Sequence, residues 1–285
     1  VWHAGPRGGD ARRLTSFTDP GLADVALGEV RDLRFEGANG ARIQMCVILP
    51  PGADGTRPLP LMHIVHGGPH GVMGDCWLWR WNAQTFAARG YLVAITNFHG
   101  STSWGEDFAR SIRGALGDLP YQDAMRGTDT LVELGWVDPD RMAIAGASYG
   151  GYLTSWIVTQ TDRFACAINH AGVFDHKLQW ASDATFGMAE SQGAYPWDDQ
   201  AVLDAHDPAR HTAGLRTPML VTHGERDFRV PVDHALECYN LLKARGVPAR
   251  LVYFSDENHW VLKRANSLLW YGEVLDWLDR WIGRS

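Results

Sequence analysis

The chain has 285 residues, of which 45% are hydrophobic and 21% charged, the composition of a globular protein with a sizeable core. Its formal net charge is −7, and it carries no basic stripe of the kind that binds nucleic acid. The apolar runs are only long enough for strands, so we expect no transmembrane span and neither nucleic acid nor a membrane as a partner.

The cysteines form no C-x-x-C pair, which argues against a zinc site or a redox motif. Two disulfides remain open, although free buried thiols are the simpler expectation. The chain begins with Val1, and charged residues interrupt any apolar segment after it, so no signal peptide is predicted and a piece of a longer or processed product is expected. The compartment stays open, with the cytoplasm slightly favoured over the periplasm or secretion.

Residues 1–28 are rich in glycine and weakly patterned, and we interpret them as a linker or as the remnant of an upstream domain. Two strands are predicted at 30–35 and 42–49, because Asn39-Gly40 between strand-like runs is a strong hairpin signal. Strands and helices then alternate, which predicts an α/β domain over residues 29–285 with a mostly parallel sheet covered by helices on both faces. The further strands are predicted at 61–65, 91–96, 142–145, 165–169, 219–222 and 250–254, and the helices at 81–89, 121–134, 149–159, 233–245 and 268–282.

The strongest motif is Gly-Ala-Ser-Tyr-Gly-Gly at residues 146–151, between a predicted strand and a predicted helix. This is the setting of the G-x-S-x-G nucleophile elbow of the α/β-hydrolase fold, in which a strained turn lifts the serine clear of the sheet. We therefore predict Ser148 as the nucleophile. The backbone N–H of Tyr149, at the start of the helix, is predicted to stabilise an oxyanion.

A serine nucleophile needs a general base, which an acid orients, and in this fold the chain order is Ser, acid, His. His259 follows a predicted strand through a polar loop and is the predicted base, while Asp227 follows the strand at 219–222 and is the predicted acid. Glu225 lies too near the strand end, and Asp233 is expected to be a helix N-cap. The other downstream histidines are expected in structural or surface positions: His223 at a strand end, and His206, His211 and His234 in or beside polar segments.

A second oxyanion donor is expected in the Gly-rich loop after the strand at 61–65. The backbone N–H of Gly68 is the predicted donor, because the following proline has none. A metal site formed by His63, His66 and His70 is the competing interpretation. Residues three apart on a strand face opposite sides, which argues against it, and no metal or organic cofactor is implied.

With these residues in place, the chain resembles the catalytic domain of the prolyl oligopeptidase family, closest to its bacterial acylaminoacyl-peptidase and dipeptidyl-peptidase branch. The matching segments are His-Gly-Gly-Pro-His-Gly at 66–71, Asn-Phe-His-Gly-Ser-Thr at 97–102, Gly-Ala-Ser-Tyr-Gly-Gly-Tyr at 146–152, His-Gly-Glu-Arg-Asp-Phe-Arg-Val-Pro at 223–231 and Asp-Glu-Asn-His-Trp at 256–260. The family usually has Arg where His99 stands, and Pro where Ser255 and Arg264 stand.

The resemblance implies a serine peptidase that hydrolyses short peptides through an acyl-enzyme on Ser148. It also implies an upstream β-propeller domain that gates the site, of which only residues 1–28 could be a remnant. The mouth that a missing propeller leaves exposed would be apolar, so a homo-oligomer is also plausible. The alternatives are a carboxylesterase with the same triad and a non-enzymatic interaction module.

The acyl-side pocket is a further expectation. The connection at 173–196 is long, and long loops beside active sites are often functional. An uncharged apolar substrate residue would fit a pocket built from its aromatic side chains and from two apolar residues near the triad, although all of them could equally belong to the core. The candidates are Phe174, Trp180, Phe186, Tyr152 and Val230.

Overall fold

The computed structural model describes residues 1–54 and 56–283. At the N-terminus, two short strands, β1 (Trp2–His3) and β2 (Arg12–Arg13), pair antiparallel and precede the one-turn helix α1 (Asp19–Leu22). The hydrogen bonds of residues 1–27 with other described residues all stay within that segment. Hydrogen bonding with the rest of the described chain begins at Gly28, whose backbone N–H and C=O both bond to the side chain of Gln84.

The rest of the described chain is built around an eight-stranded sheet. Its strand order is β10-β9-β8-β7-β5-β6-β4-β3. Within this sheet, β4 runs opposite to the other seven strands, so its pairings with β3 and β6 are antiparallel and the remaining pairings are parallel. The strands are β3 (Val30–Glu36), β4 (Arg42–Ile48), β5 (Leu59–Val65), β6 (Leu92–Asn97), β7 (Val137–Ala147), β8 (Cys166–His170), β9 (Met219–Gly224) and β10 (Ala249–Phe254).

Helices cover both faces of this sheet and give it two hydrophobic cores. The helices are α2 (Ala83–Ala88), α3 (Glu106–Arg110), α4 (Leu119–Glu133), α5 (Tyr149–Gln160), α6 (Met188–Gln192), α7 (Gln200–Ala205), α8 (Asp233–Ala244) and α9 (Arg264–Ile282). Buried residues of α4, α5 and α8 pack in one core, and those of α2 and α9 in the other. Along β7, Met142 and Ile144 enter the first core while Ala143 and Ala145 enter the second, as strand alternation requires.

The predicted fold class is confirmed, and the predicted strands and helices are present. Most of their ends shift by one or two residues, but β7 begins five residues and α9 four residues earlier than predicted. The hairpin turn is the one expected, since Asn39 and Gly40 have φ of 53° and 73°, the left-handed values that an Asn-Gly turn supplies. The helices α3, α6 and α7 were not predicted, because five or six residues are too few to show helical periodicity.

Several side-chain predictions outside the site are wrong. Asp233 is the first residue of α8 rather than its N-cap, which is Val232, and no side chain caps this helix. His234 is fully buried, because its Nδ1 accepts hydrogen bonds from the backbone N–H groups of Phe174 and Asp175. His206 and His211, also expected at the surface, are half-buried with their rings against Trp156.

Candidate active site

Ser148 occupies a strained turn between the carboxyl end of β7 and the start of α5. Its φ of 60° and ψ of −123° are costly for a residue with a side chain, and such values persist only where the surroundings enforce them. The enforcement comes from close backbone packing. A Cβ on Gly150 would lie 2.1 Å from the Val65 carbonyl oxygen, and one on Gly146 would lie 2.3 Å from the Gly150 oxygen. The two glycines of the motif thus let strand and helix meet at the serine.

His259 and Asp227 are hydrogen-bonded, with 2.7 Å between Nδ1 and Oδ2. A carboxylate only accepts, so Nδ1 of His259 carries the proton and Nε2 is left as the basic nitrogen. Both residues are buried, and His259 lines one cavity with Ser148. The structure thus brings together the three residues that the sequence predicts as nucleophile, base and acid.

Three hydrogen bonds and a close contact with a second histidine hold the Asp227 carboxylate. Its Oδ1 accepts from the backbone N–H groups of Arg229 and Val230, each at 2.9 Å, and Nε2 of His223 lies 3.2 Å from Oδ2, beside His259. Burial alone would raise the pKa of Asp227, but the bonds from His223 and His259 outweigh it and lower the pKa well below its usual range. The carboxylate therefore stays ionised while it orients His259.

A buried carboxylate also fixes the loop that carries His259. Glu257 accepts hydrogen bonds from the backbone N–H groups of Leu262 and Lys263 and from the side chain of Asn266. Its own carbonyl accepts from the N–H of Arg226, which ties this loop to the one that carries Asp227. Glu257 was noted in the sequence only as part of a polar loop, because these partners become neighbours only in the fold.

Gly68 also lines the cavity, and within the described residues neither its N–H nor that of Tyr149 donates to a backbone carbonyl. The loop before Gly68 is held by His66, whose Nδ1 lies 2.8 Å from the Gly67 oxygen and whose Nε2 lies 2.8 Å from Ser101 Oγ. Burial lowers the pKa of His66 to about 4, so the ring is neutral at pH 7. Since the Gly67 carbonyl and the Gly68 N–H belong to one peptide plane, His66 orients both.

The cavity is an open cleft of about 960 Å³. Beyond the residues already named, its wall includes the large apolar side chains Met73, Leu78, Trp79 and Trp260. Several side chains at its mouth are well exposed, among them Trp79, 87% exposed, and Phe228, 71% exposed. An exposed apolar rim of this kind is typical of a ligand-binding or protein-interaction surface.

None of the five residues predicted to form the acyl-side pocket lies in the wall of this cavity. Phe174, Tyr152 and Val230 are fully buried, because apolar side chains beside the sheet complete its core. Trp180 is half-buried against Tyr195 and Trp197, and Phe186 is fully exposed.

The three histidines considered as metal ligands each have partners in the protein. His63 lies between the hydroxyls of Thr128 and Thr96, His66 is bonded as described, and His70 Nδ1 bonds to the Gly100 carbonyl. Among residues 1–54 and 56–283, no group of three or more candidate ligand side chains is placed to hold a metal ion. The four cysteines are free, and three of them are buried.

A strained serine at the carboxyl end of a central parallel strand, in one cavity with a histidine that is hydrogen-bonded to a buried aspartate, is the arrangement of serine enzymes with the α/β-hydrolase fold. The fold and the site therefore define a serine hydrolase of this class. Comparison with known sequences narrows the class. The profile described as "Prolyl oligopeptidase family" matches residues 77–285, and the chain belongs to this family.

Several of its relatives and structural neighbours are named as peptidases. Dipeptidyl-peptidase 5 of Aspergillus oryzae is 34% identical over 290 residues, which cover 99% of this chain and 40% of that protein. Dipeptidyl-peptidase 5 of Schizosaccharomyces pombe is 34% identical over 87% of this chain and 37% of its own length. The Pyrococcus horikoshii acylaminoacyl peptidase structure has a TM-score of 0.88 and 26% identity, over 97% of this chain and 45% of that one. The chain thus spans about two fifths of the length of the curated relatives it matches.

Proposed function

We propose that the chain hydrolyses short peptides through an acyl-enzyme on Ser148, with His259 as general base and Asp227 as the residue that orients it. The hydrogen bond from His259 to the buried Asp227, in the same cavity as the strained Ser148, carries the proposal. The names of the relatives, dipeptidyl-peptidase and acylaminoacyl peptidase, support a peptide substrate and leave open which blocking group or N-terminus is preferred.

In the first step, His259 Nε2 takes the hydroxyl proton of Ser148 while Oγ attacks the substrate carbonyl carbon. The backbone N–H groups of Tyr149 and Gly68 stabilise the oxyanion that forms. His259 then gives the proton to the leaving amine as the C–N bond breaks. Water, activated by the same histidine, hydrolyses the ester and restores Ser148.

We also propose that the enzyme prefers substrates with an apolar residue, such as Phe, Leu or Ala, on the acyl side of the scissile bond. One acylaminoacyl peptidase structure, 26% identical with a TM-score of 0.89, is a complex with Z-Gly-Gly-Phe-chloromethyl ketone, which is consistent with this preference. Higher activity on substrates with Asp or Lys at this position would contradict it.

The deciding experiment compares wild type with Ser148→Ala on acetyl-aminoacyl, dipeptidyl and free aminoacyl p-nitroanilides and on a short-chain p-nitrophenyl ester. Removal of the nucleophile is expected to lower kcat by about 10⁴- to 10⁶-fold. Ser255→Ala is the matched control, since Ser255 is exposed in the loop before His259 and is expected to keep wild-type rates. A fluorophosphonate should label wild type and Ser255→Ala but not Ser148→Ala, and anilide rates within tenfold of wild type for Ser148→Ala would refute the assignment.

The second candidate is a carboxylesterase, which the openness of the cleft favours because a bulky ester needs no lid to enter. Cleavage of the ester with no cleavage of any anilide would select this candidate. An unlabelled protein without either activity would instead indicate an interaction module.

We propose further that the apolar rim around Trp79 and Phe228 is the contact surface for a propeller-type domain of the whole protein, with self-association of this chain as the alternative. The exposure of these side chains supports the proposal. Sedimentation of wild type and a Trp79→Ser, Phe228→Ser double variant tests the alternative, because only a self-associated chain would become smaller.

For the compartment, no helix in the described part of the chain is long and apolar enough to span a membrane. We propose the cytoplasm, which keeps thiols reduced, and titration of four free thiols in the denatured protein is the expected result.

A further inference from the structure

The cavity beside Ser148 is cationic in a protein that is acidic overall. Three arginines and one aspartate line it, whereas the whole chain has a formal net charge of −7. The aspartate, Asp183, is already paired, since its Oδ1 lies 2.8 Å from Nε of Arg229. The other two cavity arginines, Arg80 and Arg226, have no carboxylate within 4.0 Å among the described residues. Such a cleft raises the local concentration of anionic ligands.

Arg80 is the better placed of these two. It is half-buried, and its guanidinium carbon lies 3.7 Å from the centroid of the Trp260 ring. Stacking over a ring fixes the plane of the guanidinium and leaves the N–H donors at its edge directed sideways. Arg226, in contrast, is exposed. Arg80 is therefore a fixed, charged fork of donors in the wall of the site, with no protein acceptor in the described part of the chain.

The position of Trp260 indicates which end of a substrate Arg80 meets. Trp260 directly follows His259, and the two rings are 5.0 Å apart between centroids. His259 must reach the leaving nitrogen to protonate it, so side chains packed against His259 flank the leaving group. The stacked pair of Trp260 and Arg80 accordingly lies on the leaving-group side of the scissile bond.

We propose that Arg80 binds a carboxylate carried by the leaving group, so that the favoured substrates are short peptides whose chain ends close after the scissile bond. This inference rests on the proposed function. A planar guanidinium matches a carboxylate with two parallel hydrogen bonds, which gives geometric selectivity as well as attraction. The carboxylate can be the C-terminal one or that of an acidic side chain in the first leaving residue.

Three peptides that share one acyl part separate these sources. Their leaving groups are alanine with a free C-terminus, alanine amide and glutamate amide. The rate at which this leaving group is released gives kcat/KM for each peptide. For wild type we expect the free alanine peptide to exceed the alanine amide by about 10- to 100-fold, the range of a charged hydrogen bond. A preference for glutamate amide over alanine amide would identify the side-chain carboxylate as the source.

The Arg80→Met variant keeps an unbranched stem against Trp260 and removes the charge. It is expected to bring the ratio of kcat/KM for the carboxylate-bearing peptide to that for alanine amide to about one. Arg80→Lys should keep part of the ratio, because its charge remains and its planar fork is lost. Arg126→Gln, an exposed arginine on α4, is the matched control and should leave all the ratios unchanged.

In wild type, ratios near one for both the free alanine peptide and the glutamate amide peptide, each relative to alanine amide, would overturn the inference. An equal loss on all three peptides in Arg80→Met would overturn it as well. Failure of the proposed function has a different signature, namely no anilide cleavage by any variant. In that case the carboxylate-binding role of Arg80 is tested without catalysis. Binding of Ala-Ala and of its amide is measured through the thermal shift that each causes. Ala-Ala should raise the Tm of wild type more than that of Arg80→Met, and equal shifts would again overturn the inference.

Discussion

Among the described residues, two buried histidine–aspartate pairs are joined through Nδ1 of the histidine, and these two bonds are nearly identical. His259 Nδ1 lies 2.7 Å from Asp227 Oδ2, and His99 Nδ1 lies 2.7 Å from Asp123 Oδ2. Backbone N–H groups complete both carboxylates, since Asp123 accepts from Ala38 and from His99 itself. Neither the bond length nor the burial of the carboxylate therefore distinguishes a catalytic pair from a structural one.

The two pairs differ in what surrounds the histidine. His259 lines the open cavity with Ser148, so its second nitrogen is available to a substrate. His99 stacks on Phe108, with 4.5 Å between ring centroids, and is absent from the described cavity wall. His99 stands where the resembling family usually has Arg, and its bond to Asp123 shows that a histidine satisfies this buried carboxylate. A histidine–aspartate pair can act in catalysis only if the free ring nitrogen of the histidine can reach a nucleophile.

The largest expected effect follows from breaking the proposed catalytic pair, His259 and Asp227. Asp227→Asn should lower kcat by about 10⁴-fold, because an amide no longer selects the tautomer with a basic Nε2. His99→Gln, which alters the structural pair, should leave kcat within about threefold of wild type. Steady-state anilide kinetics on both variants measure the contrast, and similar losses in the two would show that the pairs are not distinct in function.

The reciprocal change acts on stability. Asp123 is fully buried and accepts three hydrogen bonds, so Asp123→Asn places an NH₂ group against donors and should lower the free energy of unfolding by about 2–3 kcal/mol. The kcat of the folded variant should remain near the wild-type value. Urea unfolding followed by tryptophan fluorescence measures the loss, and a 100-fold fall in kcat with unchanged stability would place Asp123 in the active site.

A smaller effect is expected from the third histidine near the triad. His223 Nε2 lies 2.8 Å from the Val230 carbonyl oxygen as well as 3.2 Å from Asp227 Oδ2, so it helps to hold the acid in place. His223→Phe keeps the ring shape and removes the donor, and should lower kcat by about tenfold. The KM should change little, because His223 is buried and touches no substrate. An unchanged kcat would make His223 a packing residue only.

The sequence was sufficient for much of this site, because its signals are local. The Ser148 elbow needs only a glycine-flanked serine between a strand and a helix. Asp227 and His259 can be assigned because each lies in a loop that directly follows a predicted strand, in the chain order Ser, acid, His. The stacking of Arg80 on Trp260 had no such signal, since the two residues belong to loops that meet only in the fold. The predicted pocket shows the same limit, because apolarity alone does not separate a core position such as Phe174 from the wall of a cavity.

The last expected effect is on the pH dependence of stability, and it concerns a buried histidine whose partners are hydroxyls. His63 is fully buried between two threonine hydroxyls, and burial lowers its pKa to about 4. Below pH 6.5 the unfolded chain binds a proton at this position and the folded chain does not, so stability falls as the pH decreases from 6.5 to 4. One such group contributes about 1.4 kcal/mol per pH unit over this interval.

His63→Gln should therefore be less stable than wild type at pH 7.5 and should lose less stability on going to pH 5.0, by about 2 kcal/mol. Urea unfolding at the two pH values measures this difference, and His3→Gln, a change at an exposed histidine, is the control. Equal losses in His63→Gln and wild type would mean that His63 titrates alike in both states. Burial would then not be what keeps this ring neutral.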